Sequence, residues 1–314
     1  MIRAFFDPFL WFDMLCPPIL NKGDKVALVA PGGAVDEIKI RFAKEVIIGK
    51  GFEPVCGDHL LGRSNYFSGT DEERASDLQK ALDDPEIKAV FMARGGYGIT
   101  RIIDRLDFTA FLRNPKWLCG FSDITALLNH HPEVVSVHGP MPTTFSKDRN
   151  STDQLFDFLM GKDLDYTVRE NRYNKKGSVI APLVGGNLTL VCHCLGSASE
   201  IDMDGKILFV EEIGEALYAI DRLMVQLKRA GKLANLAGII VGQFSAVRDS
   251  QIPFGKDAYG IIRSHVEEYG YPCLFGFPAG HDTENLPLPI SGLVSLDVRE
   301  SENSRVSACF GNGI

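Results

Sequence analysis

The chain has 314 residues and a formal net charge of -8 at pH 7, with 45% hydrophobic and 24% charged residues. That length allows about two domains with buried cores, and the composition excludes a disordered or fibrous chain. Its acidic balance, without a long basic run, excludes nucleic acid as the main partner.

The first twenty residues, MIRAFFDPFLWFDMLCPPIL, are rich in Phe, Leu and Trp but are interrupted by Asp7, Pro8 and Asp13. The stretch is too short and too broken for a membrane span, and it lacks the small-residue cleavage site of a signal peptide. We interpret residues 1–22 as an N-terminal arm and expect translation to begin at Met14. No other stretch predicts a membrane span, so we expect no membrane contact.

Strands and helices alternate through the first half of the chain. The pattern predicts strands at 25–30, 52–55, 89–93 and 117–120, and helices at 38–50, 70–82 and 124–128. Thr70 precedes an acidic first turn, as an N-cap residue does. Such alternation is typical of a mostly parallel sheet covered on both faces by helices.

A polar stretch at 163–177 predicts a linker between two domains, residues 23–162 and residues 178–314. Beyond it, the pattern predicts strands at 207–210, 237–241 and 274–277, and helices at 216–230 and 258–269. Alternating residues at 293–298 and 305–310 are typical of an antiparallel hairpin.

Seven scattered cysteines indicate free thiols rather than a disulfide framework, because most lie inside apolar runs. We therefore expect a reducing, cytoplasmic location. Cys192-His193-Cys194 offers metal-ligand types, but adjacent residues point in divergent directions and no second ligand pair lies at zinc spacing. We expect these residues to belong to the core and to bind no metal.

Ser122 follows the predicted strand at 117–120 and precedes a predicted helix. A sharp strand-to-helix turn lifts a hydroxyl out of a sheet, and nearby N–H groups, including that of Asp123, can hold an oxyanion. Ligands also bind at the carboxyl ends of strands in open α/β sheets. The alternative stays open that this serine is a helix N-cap, because the glycine that ends a G-x-S-x-G elbow is missing.

Further candidates lie after other predicted strands. The glycines of the 94–98 turn, RGGYG, let a ligand approach backbone N–H groups, although the spacing does not indicate dinucleotide binding. Glu211 and Glu212 end one strand and His281 follows another. Neighbours on a strand point to opposite faces, so at most one glutamate faces the cleft of Ser122. A serine, an acid and a histidine at strand ends fit a nucleophile, orienter and base.

Six segments in order resemble one family: RGGYG, NPKWLCGFSDITAL, PLVGGNLT, ILFVEEIGEALYAIDRLMVQL, GIIVGQF and FPAGHDTEN. They are similar to segments of LD-carboxypeptidases (muramoyltetrapeptide carboxypeptidases), a family that includes microcin-immunity peptidases. The resemblance runs from about residue 25 to about residue 298. It implies a flavodoxin-like, mostly parallel N-terminal domain, a smaller β-rich α/β C-terminal domain, an active site between them and a homodimer.

The resemblance also implies roles for particular residues. The family's G-[YF]-S-D elbow corresponds to Ser122 as nucleophile, the first acidic residue after ILFV to Glu211 as orienting acid, and the GHDTEN loop to His281 as base. The N–H groups of Gly96 and Asp123 are the implied oxyanion donors. A triad of this kind uses neither a metal nor a cofactor.

The implied substrate is a cytoplasmic murein tetrapeptide, from which the terminal D-alanine is released during peptidoglycan recycling. An exopeptidase must also bind a free carboxylate, and Arg94 and Arg101 are both candidates because a planar guanidinium pairs with two oxygens. Two other hypotheses stay open. One is an immunity peptidase that cleaves a peptide–nucleotide or amidated toxin with the same triad; the other is a non-catalytic sensor of cell-wall fragments in which Ser122 is only a cap.

Overall fold

A computed structural model describes residues 14–310. Within this range the chain forms eight α-helices: α1 (Glu37–Gly49), α2 (Asp71–Asp83), α3 (Thr109–Arg113), α4 (Thr125–Leu128), α5 (Arg149–Leu159), α6 (Leu188–His193), α7 (Leu217–Arg229) and α8 (Ala258–Val266). The strands are β1 (Lys25–Val29), β2 (Glu53–Cys56), β3 (Ile87–Met92), β4 (Trp117–Gly120), β5 (Ser136–His138), β6 (Leu164–Val168), β7 (Gly177–Asn187), β8 (Ile207–Ile213), β9 (Gly238–Ser245), β10 (Cys273–Phe275), β11 (Leu288–Ile290), β12 (Leu293–Val298) and β13 (Ser304–Ala308). Residues 1–13 of the predicted arm lie outside the described residues, as do residues 311–314, whereas Leu20 in the rest of the arm is buried.

The first sheet has the strand order β11-β5-β4-β3-β1-β2. Strands β1 to β5 pair in parallel, and β11 joins the edge antiparallel to β5. The apolar runs KVALV, IKAVFM and WLCG are almost wholly buried, as expected of strands covered on both faces. The predicted mostly parallel N-terminal sheet is therefore confirmed.

Helices α1, α2 and α7 lie within a residue of their predicted bounds, whereas α8 ends three residues before its predicted end and α5 was not predicted. Before α2, Thr70 Oγ1 accepts a hydrogen bond from the Glu73 N–H at 3.2 Å, and Glu73 Oε2 accepts from the Thr70 N–H at 2.8 Å. Helix α7 buries one face against the second sheet and is followed by Gly231, whose φ of +75° suits a helix end. No helix within residues 14–310 is long and apolar enough to cross a membrane.

The second sheet has the order β10-β9-β8-β7-β12-β13-β6. Its first four strands pair in parallel, and the rest pair antiparallel. The predicted hairpin is confirmed as β12 and β13, with Leu296 opposite Val306. A hydrophobic core that contains Phe91 of the first sheet continues to Leu183 and Phe209 of the second, so the two sheets pack on each other.

The stretch predicted as a linker contains a strand. Within the polar stretch at 163–177, β6 pairs with β13 as an edge strand of the second sheet. Its buried residues Leu164, Tyr166 and Val168 alternate with exposed polar residues, so the polar residues concealed the period-2 pattern of a half-buried strand. Strand β11 also returns from the C-terminal half to the first sheet, so a boundary near residue 178 does not separate the two sheets.

Candidate active site

Ser122 occupies a strained turn at the carboxyl end of β4. Its φ is +64°, a left-handed conformation that costs a non-glycine residue about 1–3 kcal/mol. The residue begins a 3₁₀ turn, Ser122–Ile124, which leads into α4, and neither segment has a side-chain cap. The hypothesis that this half-buried serine is only a helix cap is therefore wrong. A strained, non-capping serine at a strand end indicates a functional position.

The glycine turn at 94–98 packs directly against the serine turn. A Cβ added to Gly95 would lie 3.0 Å from Ser122 Cβ and 3.2 Å from the backbone N of Asp123, so only glycine permits this approach. Gly96, the predicted oxyanion donor, follows with a φ of +88°. Among the described residues, its N–H has no hydrogen-bond acceptor. The direct contact with the serine turn is thus made by Gly95, with Gly96 next to it.

Two buried charged side chains hold the end of this glycine turn. Asp123 Oδ2 accepts a hydrogen bond from the Ile99 N–H at 2.9 Å. The Arg74 guanidinium donates to the Gly98 carbonyl at 3.0 Å and pairs with Asp71. Burial raises the pKa of Asp123, while the Ile99 hydrogen bond and the Arg74 charge oppose that rise. The serine turn and the glycine turn are therefore fixed to each other.

Glu211 and His281 are in direct contact at the carboxyl end of the second sheet. His281 Nδ1 lies 2.7 Å from Glu211 Oε2. The carboxylate is fully buried, whereas the His281 side chain is 14% exposed. Burial raises the pKa of Glu211, and the hydrogen bond to His281 lowers it. Since Nδ1 is engaged by the carboxylate, Nε2 is the ring nitrogen left for a reacting group.

Glu212 has different partners from its neighbour. Its carboxylate accepts hydrogen bonds from Asn187 Nδ2 at 2.9 Å, from the Thr189 N–H at 2.8 Å and from the Ile213 N–H at 2.8 Å. Asn187 is itself the N-cap of α6. Glu212 therefore stabilises the start of this helix, and Glu211 alone of the two bonds to His281.

The serine and the Glu211–His281 pair come from different sheets and approach each other at Phe121. The rings of Phe121 and His281 have centroids 4.8 Å apart, and Ser122 is the next residue along the chain. The structure thus brings the histidine to the serine turn.

Helix α4, directly after the serine turn, is bonded to β7 of the second sheet. Thr125 Oγ1 accepts from the Asn187 N–H at 3.0 Å. Asn129 donates to the Gly185 carbonyl at 3.0 Å and accepts from the Gly185 N–H at 2.9 Å. These buried bonds fix the serine turn relative to the sheet that carries Glu211.

The two candidate arginines differ in their partners. Arg101 donates to Asp71 through Nε at 3.0 Å and through Nη2 at 2.7 Å, so its guanidinium is already paired with a carboxylate. The exposed Arg94 donates to the Ala34 carbonyl at 2.6 Å, and no carboxylate of residues 14–310 pairs with it. Of the two, Arg94 has the guanidinium available to a substrate carboxylate.

The Cys-His-Cys segment is arranged as core residues are. Cys192 and Cys194 are buried while His193 between them is exposed. Burial raises the pKa of the thiols to about 12 and about 11, so neither is a thiolate at neutral pH. Across the part of the chain that the structure describes, no group of three or more His, Cys, Asp or Glu residues is placed to hold a metal ion.

Several residues that support this site were not predicted. Asn187 lies in the PLVGGNLT segment and Asn285 in the GHDTEN loop, and His138 ends the short strand β5. All three side chains are buried. A polar residue at the end of an apolar run is a signal for a buried hydrogen-bond network, but the partners of such a residue are distant in sequence.

Both halves of the chain match models of one protein family. Residues 26–139 match the LD-carboxypeptidase N-terminal domain, and residues 181–296 match the LD-carboxypeptidase C-terminal domain. The chain is 34% identical over 300 residues to a probable murein peptide carboxypeptidase of Bacillus subtilis, covering 90% of this chain and 92% of the relative. It is 29% identical over 288 residues to the murein tetrapeptide carboxypeptidase of Pseudomonas aeruginosa, covering 87% and 93% of the two chains.

Solved structures share the two-sheet architecture. Muramoyltetrapeptide carboxypeptidase from Oxalobacter formigenes superposes with a TM-score of 0.81 at 28% identity, covering 91% of this chain and 98% of the other. MccF in complex with glutamyl sulfamoyl guanosine superposes with a TM-score of 0.83 over 95% of this chain and 98% of the other. At 22% identity, the second likeness shows the fold alone. The chain belongs to the LD-carboxypeptidase family.

Proposed function

We propose that this carboxypeptidase hydrolyses the amide bond before the terminal D-alanine of a murein tetrapeptide, in the cytoplasm, as a step of peptidoglycan recycling. The observation that carries the proposal is the 2.7 Å contact between His281 Nδ1 and the buried Glu211 carboxylate, next to the strained turn of Ser122. The murein peptide carboxypeptidases among its relatives support the substrate class.

In the proposed first step, Ser122 Oγ attacks the scissile carbonyl carbon and its proton moves to His281 Nε2. Glu211 accepts the Nδ1–H hydrogen bond, which fixes the tautomer of the ring and stabilises the imidazolium. The carbonyl electrons move to oxygen, and the N–H groups of Gly96 and Asp123 donate to this oxyanion. Donors fixed in place before the reaction avoid the cost of reorganising solvent around the new charge.

In the second step, the tetrahedral intermediate collapses and the C–N bond breaks. His281 gives its proton to the nitrogen of the departing D-alanine, which leaves a peptidyl ester on Ser122. Water then attacks the ester while His281 takes a proton from it. The second tetrahedral intermediate collapses, the C–O bond to Ser122 breaks, and His281 returns the proton to the serine oxygen as the peptide carboxylate leaves. The sequence of steps uses side chains and backbone amides of this chain, without a metal or a cofactor.

Exopeptidase action requires that the free carboxylate of the substrate be bound. We assign this role to Arg94, because it has an exposed guanidinium and begins the glycine turn, two residues after β3, that packs on Ser122. A guanidinium binds a carboxylate through two parallel hydrogen bonds, which would orient the terminal residue. Arg101 is less suited because Asp71 already occupies this face of its guanidinium.

The proposal is tested with a set of matched tetrapeptides. We expect the peptide that ends in free D-alanine to be cleaved, with release of D-alanine. Peptides that end in L-alanine or in D-alanine amide should be cleaved little. Chelator should leave the rate unchanged. Equal cleavage of the three peptides would contradict an LD-carboxypeptidase, and no cleavage of any of them would contradict the substrate class.

The same preparation distinguishes the immunity-peptidase alternative. An aminoacyl sulfamoyl adenosine is offered in parallel, because it carries an amino acid on a nucleotide analogue. Turnover of this compound with no release of D-alanine would replace murein peptide as the substrate class while leaving the triad in place. The homodimer implied by the family resemblance stays a prediction, which sedimentation velocity tests.

A further inference from the structure

The loop that carries His281 leaves the second sheet but is bonded to the start of helix α5. At the end of this loop the backbone N–H of Asn285 donates to Asp148 Oδ2 at 2.8 Å and to Ser151 Oγ at 3.2 Å. Both acceptors lie at the start of α5, where Asp148 Oδ1 also caps the helix by accepting from the Ser151 N–H at 3.0 Å. The position of the loop is therefore set partly by the domain that carries Ser122.

The Asn285 side chain makes a second tie, and it acts next to the histidine. Its Oδ1 accepts from the Gly280 N–H at 2.9 Å and lies 3.2 Å from His138 Nε2. An amide oxygen only accepts, so His138 donates this bond. Burial lowers the pKa of His138 to about 3, which keeps the ring neutral at physiological pH.

His138 in turn lies beside the nucleophile strand. It pairs with Gly120 across β5 and β4, and Gly120 is two residues before Ser122. Its ring also contacts Phe121, with centroids 5.8 Å apart. A short chain of bonded or packed groups thus leads from the serine turn through His138 and Asn285 to the residue before His281.

We infer that Asn285 is a positioning residue for the reaction: its side-chain oxygen joins the Gly280 N–H to His138 and so holds His281 in register with Ser122. The inference rests on the proposed roles of Ser122 and His281. Such a tie adds to the α4 bonds that fix the serine turn relative to β7, because base and nucleophile belong to different sheets and the Glu211 bond orients the ring only within the second sheet. A displacement of about 1 Å between reacting groups costs about 100-fold in rate.

Other contacts also hold the loop on both sides of His281. Lys147 Nζ donates to the Asp282 carbonyl at 3.1 Å, and Gln243 Oε1 accepts from the Asp282 N–H at 2.9 Å. Ser245 donates to the Asp282 carboxylate at 2.6 Å. Lys147 Nζ also donates to the His281 carbonyl at 3.4 Å, and the Gln243 N–H donates to the Ala279 carbonyl at 2.9 Å. Asn285 is the buried side chain that accepts from the N–H of Gly280, next to His281, so its loss should change the direction in which the ring leaves the backbone.

The test measures how fast Ser122 reacts with a fluorophosphonate. In that reaction the Ser122 Oγ–P bond forms, the P–F bond breaks, fluoride leaves and the serine proton passes to His281, so the rate reports the nucleophile and base without the natural substrate. We expect Asn285→Ala to lower the second-order rate constant about 10- to 100-fold. Asn285→Asp, which keeps an acceptor oxygen for Gly280 and His138, should recover part of the loss. With peptide substrate, kcat should fall while KM stays within about threefold, because the buried Asn285 acts through the position of His281.

Asn174 offers a matched control. Asn174 is also buried, and its Oδ1 accepts a single backbone hydrogen bond, from the Phe275 N–H at 2.9 Å. In both asparagines, Nδ2 has no hydrogen-bond partner among the described residues. Asn174→Ala should lower the melting temperature by a similar amount and leave the rate of phosphonylation near that of the wild type. An Asn285→Ala protein that reacts at the wild-type rate, or an equal loss of rate in Asn174→Ala, would overturn the inference.

A second variant serves if Asn285→Ala does not fold. His138→Ala removes the donor at the other end of the same tie, so it should also slow phosphonylation, and the double variant should lose little more than either single one. A wild-type rate in His138→Ala would overturn the inference. Failure of the proposed function is distinguishable: the wild type would then be phosphonylated at Ser122 but release no D-alanine. No labelling of Ser122 in the wild type would overturn both.

Discussion

Glu211 and Glu212 are adjacent on β8, yet only the Glu211 carboxylate contacts His281, at 2.7 Å. Glu212 instead accepts two N–H hydrogen bonds at the start of α6 and one from the next residue of β8. Both carboxylates are buried. Burial alone therefore does not separate the two residues, and their hydrogen-bond partners do.

This difference predicts opposite effects of two equivalent substitutions. Glu211→Gln should lower kcat by about 10³- to 10⁴-fold, because an amide cannot stabilise the imidazolium, and should change stability little. Glu212→Gln should cost about 1–3 kcal/mol of unfolding free energy through imperfectly satisfied donors while kcat changes less than tenfold. Steady-state kinetics and urea unfolding of both variants measure these effects. A larger loss of kcat in Glu212→Gln would contradict the assignment.

The left-handed turn at Ser122 predicts a conflict between stability and activity. Ser122→Gly and Ser122→Ala should both be inactive, but the glycine variant should be more stable than the alanine variant by about 0.5–1 kcal/mol. Relief of about 1–2 kcal/mol of left-handed strain outweighs the greater entropy that glycine has in the unfolded chain. Chemical denaturation compares the two directly. An alanine variant at least as stable as the glycine variant would show that the turn is not strained.

The buried His138 predicts a specific loss of stability in acid. Its pKa in the folded protein is about 3, below the value of about 6.5 in an unfolded chain, so the unfolded state binds the proton first as pH falls. The stability that the folded protein gains by keeping His138 neutral is fully present above pH 6.5 and is lost between pH 6.5 and pH 3. His138→Gln, which cannot titrate, should remove this slope. The unfolding free energy of the wild type minus that of His138→Gln should change by several kcal/mol across that pH range. A difference that does not change with pH would contradict the prediction.

The arginines near the glycine turn predict a difference in substrate affinity. Arg94→Met should raise KM at least tenfold for a peptide with a free terminal carboxylate and have little effect on the corresponding amide, because it removes a charge-assisted contact. Arg101→Met should change KM less than threefold, since its guanidinium already pairs with Asp71. This exposed ion pair contributes little to stability. Equal effects of both substitutions would refute the assignment of Arg94.

Short-range sequence patterns predicted much of the fold, but few of the buried hydrogen bonds that hold the site residues in place. The strand before Ser122 could be predicted from four apolar residues and the turn that follows. The edge strand β6 could not, because its polar side chains suggested a linker. The bond between His138 and Asn285 joins residues 147 positions apart, so no local pattern contains it. The choice of Glu211 over Glu212 needed the resemblance to a family before the structure gave the two carboxylates different partners.

The rate of D-alanine release from a murein tetrapeptide, compared between the wild type and Ser122→Ala, tests the central claim most directly. Circular dichroism and thermal melting would first establish that both proteins are folded. We predict catalytic turnover by the wild type and at least about a 10³-fold loss in the variant, because the ester intermediate needs the serine oxygen. Equal rates in the two folded proteins, or no release by the wild type, would contradict the account.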